Sequence, residues 1–220
     1  LSDVHDQRLG DVNSAIATYQ RIVEVDPGNV EAYGELVRMF GQIESWEDVV
    51  DTLMKWKEHV DGEAEFVRLL HQAADVVREK LENPDRAIKL LNDLLRVEPT
   101  NEAAYDKLRE IHGGMEDWEK VAAVYLAQEA HARTDEARAR LRAAAGDVYQ
   151  TRLKDRNQAI QHYERSMELN PKQGDVALGL ARAYVATERW EKAQPLLEAL
   201  LDSPEASASP ALAGEIHFQL

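Results

Sequence analysis

The residues with the widest chemical reach in this sequence are seven histidines, His5, His59, His71, His112, His131, His162 and His217. An imidazole can ligate a metal ion or carry a proton near neutral pH, and either task needs a partner at close range. The spacing supplies none. No His-x-x-x-His or His-Glu-x-x-His pair sets two rings on one helix face. His59 and His131 stand 72 residues apart in equivalent surroundings. With packed helices about 10 Å apart, two helical hairpins would separate them by about 20 Å, too far to share an ion. They are expected at the polar ends of their helices. The 41 Asp and Glu side chains are spread along helical stretches, where their ordinary role is a solvated face. No glycine-rich phosphate loop and no Gly-x-Ser-x-Gly elbow is present. The chain has no cysteine, which removes thiolate ligands, disulfides and a thiol nucleophile together. No catalytic residue, metal site or cofactor is expected, and the sequence reads as that of a non-enzyme.

The elements that carry these side chains come from a repeat. Shifted by 72 residues, the sequence falls on itself without a gap: Pro27, Pro99 and Pro171; Trp46, Trp118 and Trp190; Leu36, Leu108 and Leu180; Leu9, Leu81 and Leu153; Asp3, Asp75 and Asp147. Ala15, Ala87 and Ala159 align too, each followed by Ile. Within a unit the apolar residues recur at three and four, as in Ile16, Tyr19, Ile22 and Val23 or Leu69, Ala73, Val76 and Val77, which is the period of a helix. Four helices per unit are predicted. The first covers 63–81 and 135–153, with a truncated copy at 1–9. The second covers 14–26, 86–98 and 158–170. The third covers 30–42, 102–113 and 174–187. The fourth covers 46–60, 118–132 and 190–201. Asp26-Pro27-Gly28-Asn29 and its counterparts break the chain because proline cannot continue a helix and restricts the residue before it. Gly113-Gly114 is read as the stop of the second copy of the third helix. Breaks of a few residues force successive helices antiparallel. One such hairpin cannot bury its own apolar stripe, but stacked hairpins bury theirs against each other. The three tryptophans are expected in the core, filling the junctions between hairpins. Ser203 to Pro210 reads as a loop, and Pro210 to Leu220 as the start of a further first helix.

These hairpins resemble the tetratricopeptide repeat family, whose unit is a helix–turn–helix of about 34 residues. The family's large, small, aromatic and proline positions are held by Tyr33, Leu36, Phe40, Trp46 and Leu53, then by Tyr105, Leu108, Trp118 and Tyr125, then by Leu180, Ala181, Tyr184, Trp190, Ala193 and Leu197. The other hairpin of each unit supplies Ala15, Tyr19 and Pro27, Ala87, Leu91 and Pro99, and Ala159, Tyr163 and Pro171. Val37 and Arg109 replace the small residue the family favours, and Trp56 and Gln128 replace an alanine. The resemblance spans nearly the whole chain. It implies an all-α, right-handed superhelical solenoid of antiparallel helical hairpins, one domain over 1–220 divided as 1–61, 62–133, 134–202 and 203–220. It further implies a concave groove, lined from the third helix of each unit by Glu31, Gly34 and Arg38, by Asp106 and Glu110, and by Asp175 and Arg182. The first helix adds Arg68, Asp75 and Asp147 to the lining, in a register open by one residue. The Lys/Asn clamp of the chaperone-binding members is absent: Gly34/Arg38, Asp106/Glu110 and Leu178/Arg182 stand in its place. An acidic C-terminal tail is not the expected ligand.

Charge narrows the partners. The net charge is −15, so phosphate-rich nucleic acid is excluded as a partner and an anionic membrane surface is disfavoured. No apolar run approaches a membrane span. A protein or peptide of basic or mixed charge suits Asp106 and Glu110. The expected function is a protein–protein interaction scaffold. Its rivals are a spacer that stacks end to end and an accessory domain of a longer chain with catalysis elsewhere. A soluble protein is expected, and a cysteine-free chain leaves cytoplasm and periplasm equally open.

Overall fold

The computed structural model describes residues 2–202 together with 214, 217 and 218, with the side chains of residues 2–10 left out of that description. The side chains of Asp3, His5 and Leu9 lie outside that description, and so do the loop expected at 203–210 and the helix expected from Pro210, of which only 214, 217 and 218 are described. Eleven α-helices and no strand occur among the described residues. They are α1 (Ser2–Val25), α2 (Val30–Gln42), α3 (Trp46–Lys57), α4 (Glu63–Glu79), α5 (Pro84–Val97), α6 (Glu102–Gly114), α7 (Trp118–Glu129), α8 (Asp135–Val148), α9 (Arg156–Leu169), α10 (Gly174–Ala186) and α11 (Trp190–Leu201). A π-helical turn, Tyr149–Leu153, continues α8. The protein is therefore all-α and built of antiparallel helical hairpins, as the 3.6-residue pattern predicts.

The starts of these helices are written locally. Asn29, Asn83, Asp117, Thr134 and Asp155 each accept a hydrogen bond from the backbone N–H three residues on, and Asn101 does the same for Ala104. Each bond satisfies one of the donors a helix start leaves unpaired. Pro84 sits in the first turn of α5, where its missing N–H costs nothing.

The ends are less obvious. Five non-glycine residues take a left-handed backbone, and they fall at just two positions of the repeat: Glu44, Glu116 and Glu188 between the third and fourth helices, Glu82 and Lys154 between the first and second. At the first position the bonds from Ser45 N–H to Phe40 O (2.9 Å) and Glu44 N–H to Gly41 O (3.3 Å) form a Schellman closure. Asp117 to His112 and Arg189 to Tyr184 repeat its longer bond, both at 2.9 Å. The stop after α6 is thus Glu116; Gly113 and Gly114 are helical, correcting their reading as the stop.

The first hairpin brings a second correction. Helix α1 runs unbroken from Ser2 to Val25, where the sequence suggested helices at 1–9 and 14–26. Residues 10–13 contain no proline, and a lone glycine such as Gly10 costs a helix only about 1 kcal/mol, so nothing local forces a break.

Two compact units form, Leu1–Ala104 and Tyr105–Leu220. In the first, α1 packs on α2, α2 on α3, α3 on α4 and α4 on α5. Its core includes Leu36, Val50, Leu53, Leu69, Leu70, Ala73, Val77, Leu91 and Leu94. In the second, α7 packs on α8, α8 on α9, α9 on α10 and α10 on α11. Its core gathers Ala159, Ile160, Tyr163, Leu180, Ala181, Tyr184, Ala193 and Leu197.

The three tryptophans of the repeat are not core residues, whereas Trp56 is. Trp46 and Trp118 are half-buried and Trp190 is 55% exposed. Each of the first two stands at the first position of its helix. One side of its ring lies over Gly41 or Gly113, where an added Cβ would be 3.8 or 3.7 Å away. Trp46 also takes the Lys80 ammonium at 5.2 Å, and Trp118 the Arg152 guanidinium at 4.5 Å. They do sit at junctions between hairpins, but as platforms for a cation.

Candidate interaction face

The third helix of each unit carries the residues expected to line a groove. On α2, Glu31 and Arg38 are exposed and Gly34 is half-buried with open space at its Cα. Arg38 is held by Glu35 one turn back, at 2.7 Å. On α4, Arg68 is exposed and binds Glu65 at 2.6 Å, with its guanidinium 5.2 Å from the Trp56 ring centroid. Trp56 in turn stacks on Tyr33, 6.0 Å between centroids. Asp75 is half-buried. These ion pairs between neighbouring turns fix side-chain direction more than they stabilise, since exposed pairs contribute about 0.3–0.5 kcal/mol.

In the second unit, Asp106 and Glu110 are exposed on α6. Asp106 accepts from Arg109, which also donates to Gln128 at 2.7 Å and lies 4.4 Å from the Tyr125 ring. Asp175 opens the first turn of α10, and Arg182 lies exposed further along the same helix. Asp175 shares a depression of about 410 Å³ with Glu136, Arg140, Asn170, Lys172 and Gln173. That hollow joins the start of α8 to the α9–α10 connection and carries both signs of charge.

Asp147 has a structural attachment that the sequence did not reveal. Its Oδ1 accepts the Tyr163 hydroxyl at 2.6 Å. Desolvation lifts the Asp147 carboxyl above the ordinary carboxylate range; the Asp175 charge adds to this and the tyrosine hydrogen bond opposes it. Tyr163 is itself raised, by burial first and then by the bond to Asp147. The ring fits because Gly146 and Gly179 flank it: a Cβ on Gly146 would come within 2.8 Å of the ring, and one on Gly179 within 3.3 Å. The two glycines beside a tyrosine-bearing helix were the available signal.

A second polar group that sequence reasoning missed lies inside the same unit. Glu129 is buried and pairs with Arg142 at 2.5 Å. Arg142 approaches His162 Nδ1 at 3.5 Å, and the His162 ring stacks on Tyr149 with 5.1 Å between centroids. Burial lowers the His162 pKa, the Arg142 charge lowers it further, and Glu129 works against both. Deeper still, the Ser166 hydroxyl donates to Ala139 O at 2.8 Å and accepts from Gln173 at 3.0 Å. Gln173 takes the place where Asn29 and Asn101 cap their helices, and it reaches back to α9 instead.

Among the described residues no group of three or more His, Asp or Glu side chains is placed to hold a metal ion, and no helix is long and apolar enough to cross a membrane. His59 and His131 are exposed, and the His59 ring lies 6.4 Å from that of Tyr33.

Residues 150–208 match the tetratricopeptide repeat family model. No curated protein matches the chain. Solved structures similar to it include MamA, residues 41 to the end, from Desulfovibrio magneticus RS-1, at 16% identity and TM-score 0.45, covering 81% of this chain and 97% of that one. BtubC from P. vanneervenii matches at 12% identity and TM-score 0.45, covering 89% of each chain. YrrB, described as a TPR protein with an unusual peptide-binding site, matches at 17% identity and TM-score 0.42, covering 78% of this chain and 84% of that one. At these identities and TM-scores none of the three bears on this chain's own partner.

Proposed function

From a chain of tetratricopeptide-type helical hairpins, matched to that family's model over 150–208, we propose a non-catalytic protein–protein interaction scaffold that takes an extended peptide or a helix of basic or mixed charge. The observation that carries the reading is the charged hollow of the second unit, where Glu136 and Asp175 stand with Arg140 and Lys172 around about 410 Å³ of open space. Fixed charges of both signs at a concave surface favour a partner of complementary pattern and disfavour a uniformly charged one. Asp106 and Glu110 on α6 extend the acidic contribution. Glu31, Gly34, Arg38, Arg68 and Asp75 are the corresponding candidates in the first unit, and Asp147 and Arg182 border the Tyr163 site in the second. A net charge of −15 adds long-range attraction for a basic partner.

The test is capture of partners from lysate by the chain, identified by mass spectrometry, beside the Glu136→Lys/Asp175→Lys and Asp106→Lys/Glu110→Lys variants. The scaffold reading expects one or more proteins retained by the parent chain and lost from at least one variant, more readily as salt rises. Identical capture by all three chains rules out these charges as the recognition surface.

A further inference from the structure

The 72-residue repeat contains a turn that the second and third copies make and the first does not. Between the first and second helices of the later copies, Glu82 and Lys154 take a left-handed backbone, with φ of 49° and 57°. The next residue then caps the following helix: Asn83 accepts from Arg86 N–H and Asp155 from Gln158 N–H, both at 3.0 Å. One period before Glu82 and Asn83 stand Gly10 and Asp11. Glycine takes a left-handed backbone without the steric cost that a Cβ carries, and aspartate caps as well as asparagine. The first copy thus holds turn residues at least as good as the two that turn, yet α1 runs straight through them from Ser2 to Val25. The straight form leaves a face open. Ala87 and Leu91, and likewise Ala159 and Tyr163, are buried under the helix that folds back on them. Their counterparts Ala15 and Tyr19 are only half-buried. What closes over Tyr163 is explicit: its hydroxyl donates to Asp147 at 2.6 Å, and its ring lies 2.8 Å from where a Cβ on Gly146 would stand. Two periods earlier these covering positions are Ser2 and Asp3, within α1 itself.

We propose that Gly10 and Asp11 are a hinge, about which residues 2–9 fold back over Ala15 and Tyr19 of the same chain. In the folded form Gly10 takes the left-handed position and Asp11 caps the helix that follows. Asp11 N–H then closes on the His5 carbonyl, as Asn83 N–H does on Val77 O at 3.1 Å and Asp155 N–H on Tyr149 O at 2.9 Å. The covering segment is tethered through the hinge itself, which gives it a high effective concentration over the same segment from a second copy. Ser2 resists the movement, because it brings a Cβ to the position where Gly146 has none. Turn and cap favour folding back and Ser2 opposes it, so the start of α1 is a strap with two positions. Straight, it leaves the Tyr19 face open; folded, it covers that face as the later copies do. The hinge shares no residue with the charged hollow on which the scaffold reading rests, so the two stand or fall separately.

The chain has no cysteine, so Gln7→Cys and Glu24→Cys in the full chain give two unique sites for nitroxide spin labels. Pulsed electron–electron double resonance then reads the distance between them. The counterparts of these positions, Glu79 and Thr151 for the first and Arg96 and Glu168 for the second, are exposed, so a label suits either form. A straight α1 separates the two backbone sites by about 26 Å, and the folded form brings them within about 20 Å. The labelled chain should show the short distance. Gly10→Ala, which penalises the left-handed turn and favours continuous helix, should lower the folded-to-straight ratio at least about tenfold. Asp11→Ala should lower it about fivefold through loss of the cap, and Ser2→Gly should raise it. The long distance alone in the parent chain, or a short component that Gly10→Ala leaves unchanged, would overturn the hinge. So would a short component that disappears on dilution with excess unlabelled chain, because a second copy would then supply the covering helix.

Discussion

The α4–α5 hairpin of the first unit and the α8–α9 hairpin of the second hold the same place in the 72-residue repeat, but they are joined by different chemistry. The first is aliphatic: Leu70, Val77, Leu90, Leu91 and Leu94 are buried between its helices and their neighbours. One period later the same five positions hold Arg142, Tyr149, His162, Tyr163 and Ser166. Lys57 is likewise replaced by Glu129, which supplies the buried carboxylate that Arg142 needs. The backbone closure survives the exchange. Asn83 N–H reaches Val77 O at 3.1 Å, and Asp155 N–H reaches Tyr149 O at 2.9 Å, across the same separation. The helix pair is therefore specified by its turns and caps, and its interior can be filled in two ways. Apolar filling is tolerant of small shifts. Polar filling is not, because each buried group must keep its partner, and the loss of one partner leaves the other desolvated and unpaired.

The sharpest way to break this comparison is to exchange residues between the two hairpins. Leu94→Ser puts the second unit's residue into the first, where the position of Gln173 is held by the shorter Asn101, whose amide already donates to Glu98 at 2.7 Å. It removes a fully buried leucine and should cost about 4 kcal/mol, read as a lowered urea midpoint with an unchanged slope. A loss below about 1 kcal/mol would mean that the two interiors are interchangeable after all.

Gly146→Ala is the next largest. The new Cβ would come within 2.8 Å of the Tyr163 ring, a clash expected to cost about 2 kcal/mol. The first unit has already solved this problem, since it pairs Ala74 with Leu91 at the same two positions. Gly146→Ala/Tyr163→Leu should thus recover most of the loss. A double variant no better than Gly146→Ala alone would place the constraint on the glycine backbone and not on the tyrosine ring.

Much of the fold was legible because it is local. The prolines at 27, 99 and 171, the 72-residue repeat and the three-four spacing place ten of the helices with their ends shifted by a few residues. What was not legible depends on neighbours in space. Gly113-Gly114 looked like a stop because glycine is the usual left-handed residue; the left-handed position is taken two residues later by Glu116, which no propensity favours. Trp46, Trp118 and Trp190 looked like core because of their size, although all three stand at helix starts, the first two with one face under a cation. In the candidate site, carrying positions over from the resembled family named Asp147, but only coordinates reveal that Tyr163 holds its carboxylate. Periodicity shows which residues are equivalent, and it is silent on what each one touches across the hairpin.

The polar interior makes the second unit sensitive to pH. His162 is buried with its pKa lowered by desolvation, then by Arg142, against the pull of Glu129, and the Tyr149 ring covers one face. His112 on α6 is lowered in the same sense, by burial and then Lys120, with Asp117 opposing. A histidine kept neutral in the fold regains its ordinary pKa of about 6.5 on unfolding. The unfolded chain therefore binds protons first as pH falls. The stability that depends on the neutral imidazoles is full above about pH 6.5 and is lost as pH falls toward the folded values. Melting temperature should drop between pH 7.5 and 5.5, and His162→Leu, which installs the residue at position 90, should reduce that drop whatever it does to stability at pH 7.5. An unaltered pH dependence in His162→Leu would assign the effect to His112.

The smallest expected effect is the one that should not distinguish the two units. Glu44 in the first and Glu116 in the second both have φ of 58° in the same Schellman closure. A left-handed backbone costs a residue with a Cβ about 1–2 kcal/mol, and glycine avoids that cost but gives back part of it as entropy lost on folding. Glu44→Gly and Glu116→Gly should each stabilise by about 0.5–1 kcal/mol, seen as matching rises in urea midpoint, and together they should add because the turns share no partner. Equal gains would show that the turns belong to the repeat while the interiors belong to each hairpin. A gain at Glu44 with a loss at Glu116 would mean instead that the polar interior reaches the turn, through the Asp117 N–H to His112 O bond that closes it at 2.9 Å.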